Sequence, residues 1–506
     1  MREENQYEKT IISKLYDRLE GRVVIAADLT DEDVKGTETD ELAARVLSFF
    51  KDLNGLKILD KKTLLEIISK PLPKEPLNVV VSVPQSFKPD ARELAPNFKI
   101  RDTYIDKTGA TVGDFAAYFR DRYNKLRDLL SQGNIGMVLS TDKLDQYANG
   151  REVSIVGMVY EKIITKKGNL MVTIEDEFGS AKIIFVRPNS PGKDQINILF
   201  DSAMKLVTDE VIAIKGKVGS PPFIIANKLI WPDVPVHARK QTKEDLAIAF
   251  TSDVHVGSRF FIEGMFVKFI EWLNGNVDKN RDIAGKIKYV VVGGDVADGI
   301  GVYPGQDKEL TIPDIYKQYS VFLDYIDDIP DYIQVFVIPG NHDAVQLADP
   351  QPALPKELIG DFSRSNVHFI PSPSYVEIEG LKTLIYHGTS LDSVIHSIAG
   401  CSYSRPEEAM IEILKRRHAS PIYGHNPIVP SKKDMLVMQD TPDILHMGHV
   451  HKNGLGEYHG TQVINSGTWQ GKTSFQEKMG HMPTPGILPV YETKNGGVVN
   501  IDFNRL

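Results

Sequence analysis

Residues 246–255 read LAIAFTSDVH: an apolar run, then polar residues ending in an acid and a histidine two positions apart. A short apolar run closed by turn residues marks a strand buried on both faces, and such strands belong to layered α/β folds. The design recurs as YVVVGGDVAD (289–298), VFVIPGNHD (335–343), TLIYHG (383–388), ILHMGHVH (444–451) and TQVINSG (461–467). Helical stretches such as FVKFIEWLNG (266–275) and YKQYSVFLDYI (316–326) separate the early units, so 241–506 reads as one layered α/β domain. Ligands of such folds gather at the carboxyl ends of the strands. The side chains placed there are Asp253, His255, Asp295, Asn341, His342, His387, His449 and His451.

Each of these is a metal ligand or a proton carrier by chemistry. Two divalent ions sharing one carboxylate need roughly seven or eight oxygen and nitrogen donors, and this inventory reaches that number. Oxygen and imidazole donors suit Mn, Fe, Zn or Co more than Mg or Ca, and Mn is the expected occupant. Asp253 and Asp295 return only part of the charge of two divalent ions, so the pocket stays cationic and attracts a phosphodiester. His342 is then the expected general acid for the leaving oxygen, with Asp343 expected to orient its ring. His418, His425, His446 and His459 fall outside the pattern and read as structural.

Upstream, the periodicity changes. Ile11, Ile12, Leu15, Tyr16 and Leu19, then DELAARVLSFF (40–50) and KTLLEIISK (62–70), carry helical spacing, predicting a small N-terminal helical domain over 1–70. The Pro-rich and turn-rich stretch 71–110 reads as a linker with little order. A strong helix follows within 111–147, capped by Thr111 and Asp114, with Phe115, Tyr118, Phe119, Tyr123, Leu126, Leu129 and Leu130 on one face. Arg120, Arg122, Lys125 and Arg127 are expected on its solvated side. From 148 to 240 five strands with a helix between the third and fourth give the order of an OB barrel. Single-strand binding and protein docking both remain open for that module.

The chain has 506 residues and a formal charge of −9, so nucleic-acid binding here calls for a local basic groove or a partner supplying phosphate contacts. A single cysteine, Cys401, excludes an internal disulfide framework and Cys-rich zinc sites. No apolar run of about 18 residues appears, which predicts no membrane anchor. The acidic opening MREENQYEKT differs from a signal peptide, and the expected location is intracellular.

The order D-x-H, G-D-x-x-D, G-N-H-D, H-G, G-H-x-H resembles the calcineurin-like metallophosphoesterase superfamily. An OB module directly before it resembles the small (B) subunits of replicative DNA polymerases. SDVHVGS (252–258), LKRRHASPIYG (414–424), PDILHMGHVHKNG (442–454) and INSGTWQGKTSFQEKMGHMPTP (464–485) look like the archaeal family D small subunits in particular, as does FAAYFRDRYNKLRDLL (115–130).

That resemblance runs from about 111 to the C-terminus and implies an OB barrel followed by a phosphoesterase sandwich, which with the helical domain read over 1–70 makes the expected fold a multidomain α/β chain. It assigns Asp253, His255, Asp295 and His451 to one ion and Asp295, Asn341, His387 and His449 to the other, with Asp295 bridging. It further implies a 3′→5′ proofreading exonuclease, a large catalytic subunit as partner, DNA with a 3′ end as substrate, and a cytoplasmic, nucleoid-associated location in an archaeal cell. A stand-alone metal-dependent nuclease and a non-catalytic scaffold are the rival readings.

Overall fold

The computed structural model describes residues 87–101 and 109–506, apart from 134, 148, 190–191, 193 and 221–222, together with isolated positions between 24 and 67. Two compact units result, Met1–Gln85 and Ser86–Leu506. In the first, Leu42, Val46, Leu64 and Ile67 are helical and buried, as their spacing predicts, but Val24–Ile25 and Ile58–Leu59 pair in parallel. The helical reading of 1–70 missed this pair because two-residue strands carry no period; the pattern at 11–19 lies outside the described residues.

In the second unit, part of the expected linker is an ordered strand. Within the stretch read as a linker, Phe98–Ile100 pairs antiparallel with Ser374–Ile378, in the register Val376↔Ile100 and Ile378↔Phe98. The Phe98 ring meets Phe336 edge-on at 5.2 Å. Residues 71–86 and 102–108 lie outside the described residues.

Helix Val112–Gln132 opens with the expected capping box, Asp114 N donating to Thr111 Oγ1 at 3.2 Å and Thr111 N to Asp114 Oδ2 at 2.9 Å. The expected solvated side is wrong for two of its four cations. Arg122 stands four residues after Tyr118 and four before Leu126, on the buried stripe itself, and is 1% exposed. Its Nε donates to Asp434 Oδ2 at 2.8 Å and its Nη1 to the Pro421 carbonyl at 3.1 Å. Lys125 donates to the Asp434 carbonyl at 2.8 Å, whereas Arg120 and Arg127 face solvent.

The barrel has the expected order: Glu152–Ile164, Leu170–Glu175, Ser180–Phe185, helix Gln195–Met204, Val211–Val218 and Ile224–Ile230. The first strand pairs with both the second and the fourth, and the third pairs in parallel with the fifth, which closes the sheet around Ile155, Val172, Ile183, Phe185 and Ile214.

The remainder is a sandwich of two six-stranded sheets. One runs Val367–Phe369, Gln334–Ile338, Ile287–Gly293, Ala247–Thr251, Ile487–Glu492, Gly497–Asp502; the other runs Asn453–Tyr458, Thr461–Ser466, Ile444–Met447, Leu381–Ile385, Ser374–Ile378, Phe98–Ile100. Alternate residues of the central strands serve two cores. Ile248, Phe250, Val291 and Phe336 meet Val376, Ile385, Ile444 and Ile464 between the sheets. Ala247, Ala249, Val290 and Val292 face helices Glu263–Leu273 and Ile315–Asp327, while Leu384, Leu445 and Val463 face Leu391–Ser397 and Pro406–Arg416. Burial on both sides explains the unbroken apolar runs.

Candidate metal centre

Strands of both sheets end at one place. Asp253 and His255 follow Ala247–Thr251, Asp295 follows Ile287–Gly293, Asn341 and His342 follow Gln334–Ile338, His387 follows Leu381–Ile385, and His449 and His451 follow Ile444–Met447. Asp253, His255, Asp295, His449 and His451 all hold left-handed backbone, with φ between 51° and 69°. That conformation is costly for a side-chain-bearing residue and concentrates at sites where function dictates direction. At two neighbouring positions only glycine fits: a Cβ on Gly340 would strike the Asp295 carboxylate, and one on Gly448 the Asp253 carboxylate.

Two groups of donors meet at Asp295. In the first, His451 Nε2 lies 3.4 Å from Asp253 Oδ1 and 3.0 Å from His255 Nε2, which is 3.8 Å from Asp295 Oδ2. In the second, His387 Nε2 lies 3.2 Å from Asp295 Oδ2 and 3.0 Å from Asn341 Oδ1, and His449 Nδ1 is 2.9 Å from the same Asn341 oxygen. All seven predicted donors thus converge, and Asp295 stands between the groups. His396 and His425 are exposed and outside this convergence.

The donor set demands positive charge. Burial disfavours the His387 cation, yet the Asp295 carboxylate, helped by Asp253 and the Gly293 carbonyl, raises its pKa to about 10. Burial likewise pushes the Asp295 carboxyl up, but His387, His342 and His255 outweigh it and hold it well below the usual range. A proton on His387 therefore stands where a divalent ion would serve better, and the arrangement fits a pair of such ions.

His342 sits at the side of this nest on a cleft of about 240 Å³, lined also by Tyr303, Asp392, Tyr403, Gln476 and His481. Its Nδ1 lies 2.8 Å from the Asp298 carbonyl, which aims Nε2 away from that oxygen. Asp343, expected to orient the ring, does something else. Its Oδ2 accepts from Gly340 N at 2.8 Å and its Oδ1 from Tyr319 Oη at 3.0 Å, while Val296 N and Ala297 N donate to it at 3.3 Å. It staples two strand-end loops together, and burial beside Asp295 pushes its pKa up to about 6. In this bent loop adjacency in sequence does not set direction, so neighbouring positions gave the wrong partner.

Sequence reasoning missed Asp298, the second acid of G-D-x-x-D, although the spacing carries it. Its carbonyl faces His342 and its Oδ1 lies 3.1 Å from His255 Nδ1, while Gln306 Nε2 and Gln470 Nε2 donate to its carboxylate at 3.0 and 2.9 Å. Gln476, whose Nε2 lies 2.8 Å from His451 Nδ1, and Asp392, beside His449, had no sequence signal. His446 and His418 are structural, as read: His446 Nε2 lies 3.0 Å from Ser466 Oγ, and His418 Nε2 lies 2.8 Å from Asp434.

A two-sheet sandwich with helices outside and this nest at its strand ends is the architecture of a calcineurin-like phosphoesterase, and the sequence model of that family matches residues 246–464. The fold implies divalent metal ions. The chain belongs to the archaeal DNA polymerase II small subunit family. It is 38% identical to the DNA polymerase II small subunit of Archaeoglobus fulgidus over 92% of this chain and 93% of that one. The Methanothermobacter thermautotrophicus protein is 40% identical over 78% and 80% of the two chains, and the Pyrococcus furiosus protein 37% over 81% and 67%. Among the described residues no helix is long and apolar enough to cross a membrane.

Proposed function

We propose that this chain is the 3′→5′ exonuclease of an archaeal replicative DNA polymerase, hydrolysing DNA phosphodiesters with two divalent ions, Mn foremost. The observation that carries the reading is the convergence of Asp253, His255 and His451 with Asn341, His387 and His449 around Asp295, beside a cleft that contains His342. Ions held there supply concentrated positive charge for the phosphodiester and its transition state. The chain's own residues supply position and a proton. Asp295 lies between both donor groups, Asp298 fixes the tautomer of His342, and His342 protonates the leaving oxygen from Nε2. Burial lowers the His342 pKa, so the ring is loaded only when the phosphodiester monoanion beside it favours the cation.

A cleft of about 240 Å³ is far smaller than a duplex end, so a 3′ end must leave its partner strand to enter it. Mispaired ends are then preferred, since their unpairing is already done. Kinship with polymerase small subunits supports a large catalytic subunit as partner, and the net acidity supports that partner as the source of most phosphate contacts. Labelled primer-templates incubated with the full chain, with and without a large subunit, test this. Faster release of single nucleotides from mispaired 3′ ends is expected. Release from 5′ ends, or cleavage of small phosphodiesters alone, overturns it.

A further inference from the structure

A carboxylate outside the ligand set reaches one of the ligands. Asp392, near the start of helix Leu391–Ser397, places Oδ2 3.0 Å from His449 Nε2. Its other oxygen, Oδ1, accepts from Tyr403 Oη at 2.8 Å. The Tyr403 ring lies against His481 at 4.2 Å between centroids, and all four side chains line the same cleft. Residues from four separate stretches of the chain thus form one line from the cleft wall to the metal nest.

A neutral imidazole carries one proton, and the nitrogen that holds it cannot bind an ion. A hydrogen bond from Nε2 to Asp392 places the proton there and leaves the Nδ1 lone pair toward Asn341 Oδ1, 2.9 Å away. Without the carboxylate, the ring is free to take the other tautomer or to turn. His449 needs such a partner more than the other ligands do. His387 Nδ1 has the Gly293 carbonyl at 2.8 Å and His255 Nδ1 has Asp298 at 3.1 Å, both fully enclosed, and His451 Nδ1 has Gln476 at 2.8 Å with its side chain 8% exposed, whereas the His449 side chain is 15% exposed.

We infer that Asp392, held by Tyr403, is a positioning residue that sets the tautomer and direction of His449 and so determines the affinity of the ion seated by Asn341, His387 and His449. This rests on the two-ion reading above. Outer carboxylates of this kind are worth about 10- to 100-fold in metal affinity.

Calorimetric titration of the metal-free full chain with Mn²⁺, repeated with Co²⁺ while recording its visible spectrum, tests it. Wild-type chain should take two ions. Asp392→Ala should weaken one of them by about 10- to 100-fold and alter the Co²⁺ spectrum of that site, leaving the other site unchanged. Tyr403→Phe, which keeps the ring against His481, should weaken the same ion by a smaller factor. A merely structural role would weaken both sites together, or shift the melting temperature with neither site changed. Asp392→Asn, which keeps an oxygen facing His449, serves if the alanine variant fails to fold, and should lie between the two. Two ions bound by wild type and by folded Asp392 variants with equal affinities overturn the inference alone; no ion bound by wild type overturns the two-ion reading as well.

Discussion

The Arg122 guanidinium and the Asp434 carboxylate, 312 residues apart in sequence, meet at 2.8 Å with side-chain exposures of 1% and 0%. Their pair locks the helix before the barrel to a loop of the phosphoesterase sandwich. Desolvating both charges offsets most of their attraction, so the pair's value lies in what happens when one partner is removed. Arg122→Ala should leave the Asp434 charge buried and cost about 3–5 kcal/mol, read from urea or thermal unfolding of the full chain. An Arg122→Met, Asp434→Leu double variant should recover much of that loss. Equal damage from the single and double changes would contradict this account.

The same cluster should make the fold acid-sensitive. Burial, then the Arg122 charge, lower the His418 pKa from 6.5 to about 4, with Asp434 opposing. The folded state therefore excludes a proton that the unfolded chain accepts. Stability from this group is complete above about pH 6.5 and is lost as the pH falls toward 4, by on the order of 3 kcal/mol. The Asp434 carboxyl, held below the usual range despite its burial by His418 and Arg122, adds a loss below pH 3.8. Melting temperature measured between pH 7 and 4.5 should fall more steeply for wild type than for His418→Gln.

Protons should compete with ions at His387. With its pKa at about 10 in the metal-free nest, the ring must lose a proton before it can act as a ligand. Apparent affinity for the ion at that position should rise about tenfold per pH unit between pH 7 and 9. Calorimetry in buffers of different ionisation enthalpy should find about one proton released on its binding, and none released would show that His387 is not a ligand.

Metal binding and proton transfer should separate by residue. Asp295→Asn should lose one bridging charge, fail to hold two ions and lower the proposed nuclease activity by orders of magnitude. His342→Ala should retain both ions and lose roughly 10²- to 10⁴-fold in rate. Ion content measured by mass spectrometry on the same preparations separates the two roles, and a His342 variant that loses an ion would make that residue a ligand.

Legibility followed the length of the physical signal. The convergence of the seven candidate donors could be read because each follows an apolar strand in a motif a few residues long, and the barrel because period-two strands recur at even spacing. Arg122 could not be read, because a cation on an apolar stripe defaults to solvent unless its counter-charge is known, and that charge is at Asp434. Asp343 was misjudged because sequence adjacency to His342 says nothing of direction in a loop. Asp298 was available from spacing alone. Asp392 was not, since nothing in TSLDS distinguishes it from any acid at a helix start.

The strand Phe98–Ile100 gives the second sheet its last member, and so decides where this protein can be cut. A shortened chain beginning at residue 111 would keep the helix, the barrel and every candidate metal donor, yet it would leave the N–H and C=O groups of Ser374–Ile378 bare on one side. An unprotected border of that kind invites other chains to add strands to it. The boundary for an isolated phosphoesterase fragment therefore lies ahead of the helix Asp90–Glu93, whose Ala91 carbonyl accepts from Lys288 Nζ at 2.9 Å, in a stretch that looks dispensable on paper.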